Sequence, residues 1–219
     1  MAQLFGPAAN TVSRLVLVAI PTVPILLVLG TYGIMHTSYV TGQDVVPRQP
    51  VPFSHKHHVG DDGIDCRYCH ISVAVSRFAG LPPTETCMTC HSQLWTQASV
   101  LAPVRESLAT ERPIRWQRVN RLPGYVYFDH SIHVAKGVGC TTCHGPIASM
   151  PLTWQAESLT MGWCLDCHRN PAPNLRPLQS IYDPYWSAPS DQERWGRELM
   201  AAYRIKPASL LTDCSTCHR

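Results

Sequence analysis

Residues 128–144 read FDHSIHVAKGVGCTTCH, and residues 53–70 read FSHKHHVGDDGIDCRYCH. Both begin Phe-x-His-x-x-His-Val and both end Cys-x-x-Cys-His. The ending is the attachment signature of a c-type haem. Two thiols separated by two residues add across the two vinyl groups on one porphyrin edge, and the adjoining histidine swings under the ring to ligate iron. It recurs five times: Cys66-Arg-Tyr-Cys69-His70, Cys87-Met-Thr-Cys90-His91, Cys140-Thr-Thr-Cys143-His144, Cys164-Leu-Asp-Cys167-His168 and Cys214-Ser-Thr-Cys217-His218. These strings use all ten cysteines of the 219-residue chain, so none is left for a disulfide framework, a zinc ribbon or an iron–sulfur cluster. A single copy reads as well as a redox Cys-x-x-Cys or half a zinc site ahead of a chance histidine; five copies leave that reading no room. The expectation is five covalently bound c-type haems with His70, His91, His144, His168 and His218 as proximal ligands.

A low-spin c-type iron takes a sixth ligand. His36, His55, His57, His58, His130 and His133 remain for that role. Four of them, His55, His58, His130 and His133, sit in the repeated frame. Histidines three apart share one face of a helical turn, from which they can reach two neighbouring haems. One such pair reads equally as surface or core histidine; the same frame twice, each time just upstream of a haem motif, favours ligation. Residues 53–91 and 128–168 each hold one frame and two motifs, the pattern of an internal duplication, and the fifth motif closes the chain. One iron is left over. A methionine there would raise its potential relative to a bis-histidine iron. Met150, in the loop between the third and fourth motifs, is the first choice and Met161, three residues before Cys164, the second. Met200 ranks third, His36 and His57 stay open, and core packing is an equal use for any of these methionines.

Phe-x-His-x-x-His followed by closely spaced Cys-x-x-Cys-His motifs resembles the class III multihaem cytochromes, well over residues 53–168 and loosely elsewhere. That resemblance implies distal roles for His55, His58, His130 and His133. The wider arrangement is narrower in kind. An N-terminal apolar helix, FSHKHHV, five motifs, TMGWCLDCHRNP (residues 160–171) and a final LTDCSTCHR (residues 211–219) look like the pentahaem subunit of alternative complex III. The resemblance implies electron transfer from a quinol-oxidising membrane complex to a soluble periplasmic acceptor. It implies as partners an iron–sulfur subunit, multi-span quinol-binding subunits and a monohaem cytochrome c.

LVLVAIPTVPILLVLGTYGI, Leu15 to Ile34, is 20 residues without a charge, enough for roughly 30 Å of bilayer core. Membrane helices tolerate kinks such as Pro21 and Pro24 can make, and Tyr32 and Tyr39 suit the outer interface. The length of the run and the lack of a small-x-small cleavage site argue against a signal peptide. Haem is attached to c-type cytochromes outside the cytoplasmic membrane, so a single pass with a cytoplasmic N-terminus is expected. The expected division is a cytoplasmic segment 1–14, a transmembrane helix 15–40, a linker 41–52, a first two-haem unit with a helical insert 53–127, a second two-haem unit 128–170 and a C-terminal segment with the fifth haem 171–219. The fold class is mainly α with extensive loops, in which haems supply much of the core of a loop-rich domain.

Residues 92–111 read as a helix bent or split at Pro103. Residues 169–189, rich in proline, read as a surface wrap. Ser190-Asp-Gln-Glu193 reads as a capping box opening a helix that packs Trp195, Leu199 and Tyr203 on the last haem. Arg112, Arg115, Arg118 and Arg121 form a strip read as propionate-pairing or subunit-docking rather than merely solvated. The net charge of +3, from 18 basic and 15 acidic residues, is too mild to point to nucleic acid.

Closed irons in series conduct; they do not bind substrate. Rival readings are a small multihaem quinol dehydrogenase that oxidises quinol itself, a haem enzyme of the nitrite reductase kind, and a tether for other subunits. No Cys-x-x-Cys-Lys, the mark of a lysine-ligated catalytic haem, occurs.

Overall fold

The computed structural model describes residues 5–218; residues 1–4, the start of the expected cytoplasmic segment, and Arg219, the end of the expected C-terminal segment, lie outside the described residues. The chain divides into two compact units, Met1–Gly42 and Gln43–Arg219.

The first unit is built on α1, Ala9–Met35, 27 residues, about 40 Å long at the usual rise of about 1.5 Å per residue. Its most apolar window has a mean hydropathy of 2.3 and none of its side chains is buried, so it is long and apolar enough to cross a membrane. It starts ahead of Leu15 because residues 9–14 hold one charge and no helix breaker. Pro21 and Pro24 lie inside α1 without ending it, and the Thr22 hydroxyl donates to Val18 O at 2.7 Å beside the weakened ladder. The helix stops at Met35 rather than reaching residue 40. A single turn, α2 (Ser38–Thr41), follows and is closed by Gly42 at φ 72°, the left-handed geometry glycine serves at a helix end.

The second unit is mainly helical, in short pieces: α3 (Cys66–Cys69), α4 (Thr84–His91), α5 (Ala102–Thr110), α6 (His130–Ala135), α7 (Cys140–His144), α8 (Met161–Arg169), α9 (Gln192–Ala202), α10 (Ala208–Leu211) and α11 (Cys214–Cys217). Among the described residues no strand forms beyond isolated bridges, Gln43 to Gln155, Val126 to His218 and Val138 to Leu175. Each Cys-x-x-Cys lies on a helical turn, and side chains start several of those turns. Asp65 accepts from Arg67 N at 2.8 Å and Asp213 from Ser215 N at 2.9 Å, so the first and fifth motifs open on aspartate caps. Asp129 accepts from Ser131 N at 2.8 Å and opens the second histidine frame in the same way.

Four local expectations change. Within 92–111 only Ala102–Thr110 is α-helical, preceded by a 3-10 turn at Ser99–Leu101. Pro103 stands in the first turn, where its missing N–H costs nothing, so it starts the helix instead of splitting it. The capping box does not form: Asp191 is the N-cap residue but makes no side-chain cap, because its carboxylate pairs with Arg194, while Glu193 pairs with Arg197 at 3.0 Å. The proline-rich stretch is core rather than wrap, since Ala172, Leu175, Arg176 and Ile181 within it are all buried. Finally, α9 packs on the turn Ala172–Asn174, and Tyr203 beyond it bonds Arg176 O and lies against Gly137, so this helix supports the third motif's surroundings.

Arg176 is the centre of that region. Its guanidinium, buried and in no carboxylate ion pair among the described residues, lies over the Trp186 ring at 4.5 Å and donates to Thr141 Oγ1 at 2.9 Å and to Asp183 O at 3.3 Å. Burial draws its pKa below the ordinary arginine value. It crosses so close to Gly139 that a β-carbon there would overlap the guanidinium. Among the described residues few apolar side chains are buried: Val51, Val73, Val104, Ala148, Met150, Pro171, Ala172, Leu175 and Ile181, with Met150, Ala172 and Leu175 wholly enclosed. That is little for 219 residues, and a unit this loop-rich needs further apolar filling to be stable.

Gly196 of α9 sits over Ala172 O, where a β-carbon would stand at 2.0 Å from a backbone atom that cannot swing away. Gly196→Ala is therefore expected to destabilise the mature protein by about 1–3 kcal/mol, seen as a lower Tm in a thermal melt followed at the Soret band. Gly124→Ala, with open space around it, should leave the melt unchanged.

Candidate haem-binding site

The two histidine frames arrange their rings alike, although the first runs into a π-helix, Lys56–Asp61, and the second into α6. In the first, Phe53 meets His55 edge-on at 5.0 Å and stacks on His58 at 4.4 Å; in the second, Phe128 meets His130 at 4.8 Å and stacks on His133 at 4.6 Å. The frame's aromatic residue thus wedges both imidazoles into fixed directions, which explains why phenylalanine leads each frame.

The frames bring distal candidates to proximal ones. His58 and His91 have ring centres 6.1 Å apart, His130 and His144 6.4 Å, and His133 and His168 6.2 Å. A metal–imidazole bond of about 2 Å on each side, plus roughly 1.1 Å from each nitrogen to its ring centre, separates two coaxial imidazoles by about 6.2 Å. The spacing of all three pairs fits one iron between the rings.

The hydrogen bonds on Nδ1 sort the histidines further. Nδ1 of His58 donates to Ser54 O, His70 to Gly80 O, His91 to Leu94 O, His130 to Arg77 O, His133 to Asp129 O, His168 to Leu211 O and His218 to Tyr125 O, at 2.7–3.2 Å. His55 Nδ1 is held by Thr153 Oγ1 at 2.8 Å and His144 Nδ1 by the Asn120 carboxamide at 3.1 Å. The O/N assignment of this carboxamide is a matter of hydrogen-bond chemistry, and with its oxygen turned to the ring it accepts from Nδ1–H and leaves Nε2 as the free lone pair. A carbonyl acceptor on Nδ1 fixes the tautomer and leaves the Nε2 lone pair for metal, the usual arrangement behind a ligating histidine. His57 is different. It is exposed and its two ring nitrogens face Asp61 at 3.9 Å and Asp62 at 3.5 Å, the setting of a surface ion pair. His36, outside this unit, has its Nδ1 on Tyr32 O at 2.8 Å.

Burial lowers His55 to a pKa of about 4, with His70 the next influence, then His144 and His58; His144 is likewise lowered to about 4 by burial, then by His130 and His70. Burial also lowers His133. These rings stay neutral at pH 7, as metal ligation requires. None of the ten cysteines forms a disulfide. Cys143 is pushed up to about 12, chiefly by burial. Cys87 lines an apolar pocket of about 260 Å³ with Leu81, Pro82, Pro83, Pro113, Ile114 and Trp116 among its walls, which suits a macrocycle edge.

Met150 is wholly buried, with its methyl beside Gly145 and its carbonyl accepting from Lys56 N at 2.9 Å. Met161 begins α8 and is 63% exposed. The arginines of the strip, Arg112, Arg115, Arg118 and Arg121, are exposed, with no carboxylate partner among the described residues.

Comparison with known proteins bears on the same residues. Residues 126–219 match the family model described as cytochrome c7 and related cytochrome c. The chain is 37% identical over 143 residues to the multiheme cytochrome c subunit of menaquinone reductase from Nitratidesulfovibrio vulgaris, an alignment covering 56% of this chain and 68% of that protein.

If His133 faces His168 across an iron, His133→Ala opens one axial position. One haem should then turn high-spin and bind carbon monoxide, while His57→Ala leaves the spectrum unchanged. Retention of a fully low-spin spectrum in His133→Ala would remove His133 from the ligand set.

Proposed function

The chain belongs to the multihaem c-type cytochromes, and on that premise we propose that it is a membrane-anchored pentahaem electron conduit working beside a quinone-reactive membrane complex. The observation that carries this reading is the set of imidazole pairs at 6.1–6.4 Å whose Nδ1 atoms are already engaged. A c-type haem closed by two axial ligands exchanges one electron at its iron and offers no open position to a substrate. The protein's own part is to fix the ligands and exclude water. Cys66, Cys69, Cys87, Cys90, Cys140, Cys143, Cys164, Cys167, Cys214 and Cys217 anchor the five groups, and His70, His91, His144, His168 and His218 take the near face.

On the far face, His58 pairs with His91, His130 with His144 and His133 with His168. In the second frame the first histidine serves the first motif and the second histidine the second. The same rule in the first frame gives His55 to His70, whose charge is the strongest neighbouring influence on it after burial. The two frames thus act as a duplicated two-haem unit. His218 is left without an imidazole partner. For its iron we favour Met161 over Met150. α8 packs on α10, the turn leading into the fifth motif, and Met161 lies three residues ahead of Cys164. Met150 lies beside Gly145, next to an iron that His130 and His144 already close.

α1 is the anchor, with its N-terminus in the cytoplasm and residues 43–219 on the outer face of a bacterial membrane. The relative is named as a subunit of a menaquinone reductase; the five motifs, FSHKHHV, TMGWCLDCHRNP and LTDCSTCHR favour alternative complex III. Both are quinone-coupled assemblies, and the second supplies the fuller set of partners: an iron–sulfur subunit, multi-span quinol-binding subunits, a monohaem cytochrome c and a soluble periplasmic acceptor. The exposed arginine strip is a docking element in this reading. A second reading, direct quinol oxidation by this chain, is favoured by one observation: His36 follows the apolar helix with its Nδ1 held on Tyr32 O. Purifying the native assembly separates the two. A multi-subunit complex with quinol:cytochrome c reductase activity is the expected result, and a lone chain whose haems are reduced by quinol would reverse the choice.

Met161→Ala should turn one haem high-spin or lower one potential in a redox titration. Met150→Ala should instead cost about 2–5 kcal/mol of stability, read by thermal melting, with every haem still low-spin.

A further inference from the structure

We infer that the five attachment motifs stand in one row in the order second, first, third, fourth, fifth, so that the motifs ending in His91 and His218 are its two ends. This rests on the pentahaem reading and adds to it a spatial order that differs from the order along the chain.

The junctions are visible one by one. Tyr68 of the first motif shares a hydrogen bond with Thr89 of the second, 2.8 Å between hydroxyls. The first and third motifs meet over a common strip: Cys66 Sγ reaches Tyr182 O at 3.8 Å, and Cys140 N donates to Ile181 O at 3.3 Å. Their flanks are exchanged. Lys56 N of the first frame donates to Met150 O, just after the third motif, while His130 and Ser131 of the second frame are held by Arg77 O and Ser76 O, just after the first. The third and fourth motifs are neighbours because His130 and His133, three residues apart, face His144 and His168. The fourth and fifth meet where His168 Nδ1 donates to Leu211 O at 2.9 Å, three residues before Cys214. Among the described residues no hydrogen bond joins the second motif to the third.

Exposure marks the ends independently: of the ten cysteines, Cys90 and Cys214 are the exposed ones, and they belong to the second and fifth motifs. Redox partners that touch the row at its termini meet these two motifs, while the first and third are its interior junction.

The order is tested on the full haem-loaded chain in detergent. Mass spectrometry and a haemochrome assay count five haems, which checks the underlying reading. Proton NMR of the fully reduced, low-spin protein then maps nuclear Overhauser contacts between haem substituents. Cross-peaks joining the haem on Cys66 and Cys69 to that on Cys140 and Cys143 are expected, with none from the haem on Cys87 and Cys90 to the latter. Five haems with second-to-third cross-peaks and no first-to-third ones would overturn the order and leave the pentahaem reading intact; fewer than five would sink both.

Discussion

Nine imidazoles in the haem-bearing unit have their Nδ1 atoms engaged, seven of them by backbone carbonyls. Each such bond fixes a ring plane, a tautomer and the nitrogen that is left to bind metal. Three of those carbonyls, of Arg77, Leu211 and Tyr125, come from parts of the chain far from the histidine they hold, so the loops are not filler between motifs. Gly80 and Leu94 hold His70 and His91 from the loops that follow them. The scarcity of regular structure follows: a long helix keeps its carbonyls for itself.

The same logic accounts for the small polypeptide core. Met150, Leu175, Ile181 and Gln155 are the largest of the almost fully buried side chains among the described residues. Arg176 is a buried cation with no carboxylate ion pair among the described residues. It is tolerated because Trp186, Thr141 and the Asp183 carbonyl receive it, since a buried charge lacking such partners is strongly destabilising. Its position beside Cys140 puts a positive charge next to the third motif, where it would favour the reduced state of a haem held there.

Motif chemistry was legible without coordinates because spacing in the chain is itself the chemistry: two thiols and a histidine must be local. The frames were legible for the same reason, since histidines three apart on a turn share a face. What escaped was non-local. The burial of residues 172–181 has no periodicity to betray it, as its side chains enter the core from irregular backbone. Pro103 was misread because a proline inside an apolar run looks the same whether it breaks a helix or begins one. The capping box failed because the helix opens on Asp191 rather than Ser190 and Glu193 pairs with Arg197, a partner choice that propensity does not weigh.

The exchange between the two frames bears on how the protein is made. His55 depends on Thr153, 98 residues further along the chain, and Lys56 on the carbonyl of Met150. His130, by contrast, leans on Arg77, which precedes it in the chain and is made first. If the proposed haems are joined to the chain as it is exported, the first could be attached to Cys66 and Cys69 early, while the brace for its proposed far ligand lies beyond the third motif. Attachment would then run from the N-terminus forward, and axial closure of the earliest site would wait for the later half of the polypeptide.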